Sequence, residues 1–127
     1  MNKKLLICLI IFSLGLYISY RYVYQEHRNI YIEDPKYILT SDSLFHDFSI
    51  NEKEANQMYI NQIIRIKGII NTISENQLIL YPGIACIVDS NIKINEVAPK
   101  DTIELKGRCI GFDDLFLEVK MDQITLY

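Results

Sequence analysis

Apolar residues follow three patterns along the chain, and each pattern predicts a different kind of element. Residues 5–20 form a run without a formal charge, which predicts an apolar helix. Residues 41–59 repeat apolar side chains at intervals of three and four, as an amphipathic helix does. From residue 62 onward, apolar side chains alternate with polar ones or form short β-branched runs, and these predict strands.

The stretch 62–74 organises the predicted strands, because it is long and rich in isoleucine. Isoleucine is stiff at χ1 and packs well on a pleated surface. Gly68 lies near the middle, and a glycine inside a strand marks a bulge, a bend or the close approach of another backbone. A long first strand bent at Gly68 can pair with neighbours on both sides and begin a small closed barrel.

Four shorter strands are predicted at 77–81, 83–89, 101–110 and 115–121, with 124–126 closing the chain. Pro82 and Gly83 mark one turn, and residues 111–114 mark another. Five strands with short turns, the first long and interrupted by glycine, predict a closed five-stranded β-barrel of the OB type. An SH3-like barrel is the main alternative.

A helix at 41–59 is predicted to precede the barrel, which makes the fold class α+β. Asn51 begins a capping-box pattern, so a second helical start is expected there. Leu44 and Phe48 lie on its apolar face. The connection 89–100 is too short to hold the helix that closes one end of many OB barrels, so the helix at 41–59 is expected to plug the barrel instead.

Residues 1–24 predict a transmembrane anchor, with a basic start, a long apolar run and tyrosines at the far end. A cleaved signal peptide and a buried soluble helix are the alternatives. The lysines at the start favour a cytoplasmic N-terminus, which places the folded domain at 41–127 in the periplasm or at the cell surface. Residues 25–40 predict a linker with an extended stretch at 30–32, or else a strand added to the barrel edge.

Charge and chemistry exclude several classes of function. The chain has a net charge of −3, and residues 41–127 hold eight Lys/Arg against thirteen Asp/Glu, a net charge of −5. Nucleic-acid affinity rests on neutralising phosphates, so this acidic domain is not expected to bind nucleic acid. His46 beside Asp47 does not supply the three or four ligands of a metal site. No metal, cofactor or catalytic activity is predicted.

Candidate binding residues follow from the way OB barrels bind ligands, on the face of strands two and three and with two adjoining loops. Tyr81 and Phe112 can supply aromatic contacts, although barrel packing is an alternative role for both. Lys106 and Arg108 are the basic candidates on the predicted fourth strand. We expect any ligand to contact these four residues.

The chain between Leu44 and Ile124 resembles the tRNA_anti-like family, small bacterial OB-fold domains often found behind a signal or lipoprotein sequence. The matching residues are Leu44, Phe48, Asn51, Glu52, Ala55 and Tyr59 in the helix, Ile66 to Gly68, Cys86, and Lys106 to Gly111. The family often has a further cysteine near its C-terminus, where this chain has Asp122 and Gln123. The resemblance implies the fold but not a ligand, and it does not imply tRNA binding.

Cys86 and Cys109 are both predicted to face the barrel interior, because each alternates in step with apolar neighbours. They form a disulfide, if the domain is exported and the geometry allows it, or they are two separate buried thiols. Taken together, the sequence predicts a membrane-anchored extracytoplasmic binding or interaction module. Its partner is a protein or a small molecule, and a nucleic-acid-binding OB domain is the alternative.

Overall fold

The computed structural model describes residues 1–24, 29–90 and 92–127 of the 127-residue chain. The helices are α1 (Lys3–Val23), α2 (Ser41–Ile50) and α3 (Glu52–Tyr59), and short 3₁₀ turns lie at Ile30–Ile32 and Ile94–Glu96. The strands are β1 (Tyr37–Thr40), β2 (Ile63–Ile73), β3 (Gln77–Leu80), β4 (Ile84–Ile87), β5 (Thr102–Asp113) and β6 (Glu118–Leu126).

Strands β2 to β6 close into a five-stranded barrel. The neighbour order is β2-β3-β4-β6-β5, and β5 pairs back onto β2. β4 and β6 run parallel, while the other neighbouring barrel strands are antiparallel. The long strand β2 pairs with β5 through residues 63–69 and with β3 through residues 70–73. This is the OB topology, and the prediction of a closed barrel with an N-terminal helix is confirmed.

The register irregularity in β2 lies between Ile70 and Thr72 rather than at Gly68. Gly68 itself pairs regularly with Ile103 of β5. Gly68 is therefore not the site of the bulge in β2. Its lack of a side chain instead lets the start of α2 approach β2, since a Cβ atom at Gly68 would lie 2.8 Å from the Cβ atom of Ser41.

Helices α2 and α3 form as the capping pattern predicts. The Asn51 side chain accepts a 3.3 Å hydrogen bond from the Glu54 N–H and donates a 3.1 Å bond to the Glu54 carboxylate. This reciprocal pair satisfies donors at the start of α3. Leu44 and Phe48 of α2 are buried in the barrel core. Phe48 stacks on Phe112 of β5 with ring centroids 6.0 Å apart.

Residues 29–40, which we call the strap, pack on the barrel instead of forming only a linker. Ile30 is 1% exposed, and the predicted extended stretch at 30–32 is a 3₁₀ turn. β1 pairs in parallel with residues 64–67 of β2. The strand arises because β2 has a vacant edge there, since β3 pairs only with its second half. The alternative of an added edge strand thus describes residues 37–40.

The hairpin between β5 and β6 turns later than the sequence predicts. β5 runs to Asp113 and the turn occupies residues 114–117. The Asp113 carboxylate fixes this position, because its Oδ1 atom accepts hydrogen bonds from the N–H groups of Leu115 at 2.9 Å and Phe116 at 3.3 Å. Leu115 and Leu117, predicted to lie on a strand at 115–121, are therefore in the turn and are 89% and 61% exposed.

Helix α1 is long and apolar enough to cross a membrane. Its 21 residues correspond to about 30 Å, which matches the thickness of a bilayer hydrocarbon core. Within the described part of the chain, none of its apolar stretch is buried against other elements. A signal sequence has the same length and composition, so both readings of this segment are consistent with the helix.

Candidate ligand-binding face

The outward side chains of β3, β4 and the start of β6 form one surface, which we call the β3–β4 face. Its residues are Gln77, Ile79, Tyr81, Ala85, Ile87 and Lys120. The intervening residues Leu78, Leu80, Cys86 and Val119 pack in the core, so period-two alternation places these six on the outer side of the sheet. Tyr81 and Ile87 are exposed there, whereas Ala85 is 0% exposed. Ile79, Ala85 and Lys120 form one row across the three strands. The face is apolar along its middle and carries one cation.

Residues 114–117 lie at one end of this face. The Val119 N–H donates a 2.8 Å hydrogen bond to the Gly83 carbonyl, and a Cβ atom at Gly83 would lie 2.9 Å from the Leu117 carbonyl oxygen. The hairpin turn is therefore packed against the turn between β3 and β4. Four exposed apolar side chains result, which we call the apolar rim: Tyr81, Leu115, Phe116 and Leu117.

Asp113 holds the rim in this conformation. Its Oδ2 atom pairs with the Lys120 ammonium at 3.1 Å, while its Oδ1 atom accepts the two backbone N–H groups of the turn. The hydrogen bond from Lys120, followed by those from Phe116 and Leu115, lowers the pKa of the Asp113 carboxyl. The Lys120 ammonium also lies 5.5 Å from the Phe116 ring centroid. The exposed apolar side chains are thus presented by a hydrogen-bonded turn.

Phe112, one of the two aromatic candidates, packs into the barrel. Its ring contacts Phe48 and lies 6.3 Å from the ring centroid of Phe45. One edge of Phe112 lines an open pocket of about 340 Å³. The pocket is formed by Ile110, Gly111, Phe112, Asp113, Asp114 and Lys120. Tyr81, the other aromatic candidate, is 61% exposed at the rim. The two aromatic candidates therefore differ in their exposure to solvent.

The basic candidates Lys106 and Arg108 already have internal partners. Lys106 is 7% exposed, and its ammonium donates to the carbonyl oxygens of Tyr31 at 3.1 Å and Glu33 at 2.9 Å. Arg108 makes a bidentate pair with Asp122, at 2.9 and 2.6 Å. Neither side chain lies on the β3–β4 face. A phosphate at Arg108 would have to displace a carboxylate.

The family model that matches this chain is tRNA_anti-like, over residues 1–120. The chain belongs to the tRNA_anti-like family. The resemblance read from the sequence is confirmed, and the OB topology agrees with it. The family and fold are those of OB-fold binding domains.

Two solved structures are similar to the tRNA_anti-like domain described here. One is a lipoprotein of Klebsiella pneumoniae to which nucleic-acid binding is attributed, with 10% identity and a TM-score of 0.57, covering 70% of this chain and 90% of that one. The other is replication protein A of U. maydis bound to single-stranded DNA, with 15% identity, 76% coverage of both chains and a TM-score of 0.42. The first structure shows that this chain shares its fold. The TM-score of the second is too low to establish a shared fold. No curated protein matches the sequence.

The two core cysteines of this tRNA_anti-like domain are free and fully buried. Burial raises the pKa of each thiol to about 12. Met121 of β6 is the register partner of Cys86 on one side and of Cys109 on the other. Both cysteines face inward, as alternation predicts, and the possible disulfide between them is not formed in this structure.

The sequence pattern did identify Tyr81 but not the rest of the rim. Leu115, Phe116 and Leu117 are three consecutive apolar residues, which is a poor match to the alternation of a half-exposed strand. Asp113, which precedes them, is a residue type that opens turns by bonding to backbone N–H groups. Those two signals together indicate a turn. Within residues 1–24, 29–90 and 92–127, no group of three His, Cys, Asp or Glu side chains is arranged to hold a metal.

Proposed function

We propose that this protein is a membrane-anchored, extracytoplasmic OB-fold binding module that takes a protein or small-molecule ligand on the β3–β4 face and performs no catalysis. The observation that carries the proposal is the apolar rim. Its members Leu115, Phe116 and Leu117 are 89%, 69% and 61% exposed. They lie beside the strands that OB barrels use for ligands.

Exposure of this cluster favours binding over a packing role. Contiguous apolar patches on a soluble surface mark interaction sites, because removing them from water stabilises a complex. The turn that presents the rim is fixed by Asp113, so little ordering is needed when a ligand arrives. Preformed geometry of this kind lowers the entropic cost of association.

The charges around the rim favour a neutral or cationic ligand with an apolar group. Asp114 and Glu118 flank Leu115–Leu117 in sequence, and the nearby Lys120 is paired with Asp113. Anionic ligands would be repelled by these two carboxylates. This supports a protein or small-molecule partner over a phosphate-rich one.

Several features support a binding module rather than an enzyme. Cys86 and Cys109 are buried, and burial raises their thiol pKa, so neither is an activated nucleophile. His46 lies exposed on α2, away from these thiols in the core. A hydrolase would need a nucleophile with a base within hydrogen-bond reach.

Nucleic-acid binding is the second candidate. It is favoured by Tyr81 and Phe116, two exposed aromatic rings at the OB ligand face on which bases could stack. The attribution made for the Klebsiella pneumoniae lipoprotein points the same way. The acidic domain and the internal partners of Lys106 and Arg108 weigh against it.

Site-specific crosslinking tests both candidates. A photoreactive phenylalanine analogue replaces Phe116 in the full-length protein in its host membrane, and Lys67, exposed on β2, carries the same group as the control. We expect adducts from position 116 and none from position 67. Adducts removed by nuclease would favour the nucleic-acid candidate, and equal yields at both positions would refute a specific site at the rim.

The anchor is tested separately by membrane fractionation. Full-length protein should remain in the membrane after a carbonate wash, because α1 is long enough to span it. A soluble form that begins near Leu16 would show that the segment is a cleaved signal. Protease added to intact cells or spheroplasts should then digest the folded domain, if it lies outside the cytoplasm.

A further inference from the structure

The strap attaches the chain to the barrel very soon after α1 ends. Ile30 is 1% exposed. Immediately after it, the buried Lys106 ammonium binds the carbonyl oxygens of Tyr31 and Glu33. The backbone at 31–33 is therefore held on the outer side of β5 by a charge-assisted pair of hydrogen bonds. Only residues 24–29 separate this attachment from Val23, the last residue of α1.

This short connection limits how far the barrel can lie from a bilayer. Seven Cα–Cα steps from Val23 to Ile30 span at most about 25 Å when fully extended. The headgroup layer uses about 5–8 Å of that reach. A folded domain of this length is roughly 30 Å across. The tether is shorter than the domain, so the strap side must stay near the membrane surface if α1 spans it.

The strap side is also apolar where it meets solvent. Ile32 is 81% exposed, Ile38 is 68% exposed and Tyr31 is 50% exposed. Ile38 points outward because Tyr37 and Leu39, its neighbours on β1, pack against the core. Tyrosine is enriched at membrane interfaces, and aliphatic side chains enter the boundary with the acyl chains. These three side chains therefore have the chemistry suited to the bilayer interface, near which the short connection holds the strap.

We propose that Tyr31, Ile32 and Ile38 dock onto the lipid bilayer, so that the barrel rests on the membrane through its strap. The proposal depends on the anchor role of α1 given under the proposed function. It adds a second membrane contact, made by the folded domain itself. A single-span helix then holds the barrel in one orientation rather than letting it tumble.

This orientation leaves the β3–β4 face available to a ligand. In the sheet register Ile38 is opposite Arg65, while Ile79 of the β3–β4 face is opposite Thr72. The two positions lie seven residues apart on β2, or about 23 Å along the strand. The strap, and not the rim, is therefore the membrane contact.

Single-tryptophan reporters test the contact, because the sequence contains no tryptophan. Full-length protein is reconstituted in vesicles of phosphatidylcholine and phosphatidylglycerol, with and without brominated acyl chains that quench nearby indoles. The strap reporters are Ile32→Trp and Ile38→Trp, the rim control is Leu115→Trp and the anchor control is Phe12→Trp. All four positions are exposed on the protein, and thermal melts confirm that each variant keeps the wild-type fold.

Brominated lipid should roughly halve the emission of both strap reporters, as expected for side chains within the headgroup–acyl boundary, and leave the rim control unchanged. Quenching of Phe12→Trp with unchanged strap reporters would overturn this proposal while sparing the anchor. Quenching at Leu115→Trp instead of the strap would also overturn it, with the rim as the lipid contact. An unquenched Phe12→Trp would refute the anchor, and the proposal with it.

Discussion

Ser41 packs directly onto Gly68, so closely that a Cβ atom at Gly68 would lie 2.8 Å from the Cβ atom of Ser41. The Ser41 hydroxyl donates a 2.6 Å hydrogen bond to the Tyr81 carbonyl. The first residue of α2 thereby joins the middle of β2 to the end of β3. A glycine is needed at position 68 because the helix start occupies the space that a side chain would fill.

Gly68→Val should destabilise the domain by about 1–3 kcal/mol, the usual range for overpacking a filled core. The added side chain would displace Ser41 and also crowd Leu80, whose Cδ1 atom lies 3.3 Å from the added Cβ position. Urea unfolding of the full-length protein in detergent, followed by circular dichroism, measures the change.

Gly15→Ala is the matched control, because no atom of residues 1–24, 29–90 and 92–127 lies within 4 Å of a Cβ atom at that position. It should leave the unfolding midpoint of the barrel unchanged. A Gly68→Val protein that unfolds at the wild-type midpoint would mean that Ser41 does not pack against β2 as described.

The barrel could be predicted from the sequence because its determinants are local. The isoleucine-rich pattern of β2 and the capping pair of Asn51 with Glu54 act within a few residues. The late hairpin turn could not be predicted from alternation, since it depends on which N–H groups Asp113 reaches. β1 is four residues long and forms only where β2 offers an edge, which is a tertiary property.

Lys106→Met should release the strap while keeping the barrel folded. Methionine preserves the apolar stem but removes the ammonium that binds the carbonyl oxygens of Tyr31 and Glu33. The two carbonyl oxygens are part-buried and would lose a charged donor, and a hydrogen bond to a charged group contributes about 1.5–3 kcal/mol. Hydrogen exchange near residues 31–33 should accelerate, and limited proteolysis should cut there first.

Lys67→Met is the control for this experiment, because Lys67 is exposed on the neighbouring strand. The backbone amides of the strap in the Lys67→Met protein should exchange hydrogen at the wild-type rate. If Lys106→Met leaves exchange at 31–33 unchanged, the strap must be held mainly by Ile30 and the pairing of β1.

The candidate site was harder to predict than the fold, because exposure and pairing are set by distant residues. The sequence suggests that Lys106 and Arg108 are free cations. In the structure Lys106 binds the strap, which lies 73–75 residues earlier in the sequence, and Arg108 binds Asp122 on the next strand. Tyr81 and Phe112 are both aromatic residues next to turns, but Phe48 of α2 packs on the Phe112 ring, while Tyr81 is 61% exposed. Residue type therefore suggests which residues are candidates for ligand binding, while burial determines which of them can contact a ligand.

Cys86 and Cys109 should remain reduced in the folded protein. Each is in register with Met121 on the strand between them, so their Cα atoms are two strand spacings apart, or about 8 Å across the curve of a five-stranded barrel. A disulfide needs less than about 7 Å. Burial raises both thiol pKa values to about 12, so native alkylation should be slow.

Mass spectrometry without reductant checks this. Alkylation in denaturant before digestion should label both cysteines fully. A Cys86–Cys109 linked peptide from exported protein would contradict the described register, and rapid labelling without denaturant would contradict their burial.

The free energy of unfolding should depend on pH through the Asp113 carboxyl, which fixes the turn that presents the rim. Its folded-state pKa is lowered below the usual 3.8 by the Lys120 ammonium and by the Phe116 and Leu115 N–H groups. A carboxyl with a lowered folded-state pKa binds protons more readily when unfolded. Its stabilising effect is therefore complete above pH 3.8 and is lost as the pH falls through the lower, folded-state value.

Asp113→Asn keeps an oxygen for the two N–H groups but removes the charge paired with Lys120. The variant should have a lower unfolding midpoint than the wild type at pH 7, and the gap should narrow as the pH falls below about 3.8. Asp114→Asn is the matched control, because the bonds to Lys120 and the turn come from Asp113. Unfolding midpoints between pH 7 and pH 3 measure all three proteins. Parallel profiles for Asp113→Asn and the wild type would show that the pair with Lys120 does not stabilise the turn. A changed profile for Asp114→Asn would show that Asp114 contributes to the pH dependence predicted for Asp113.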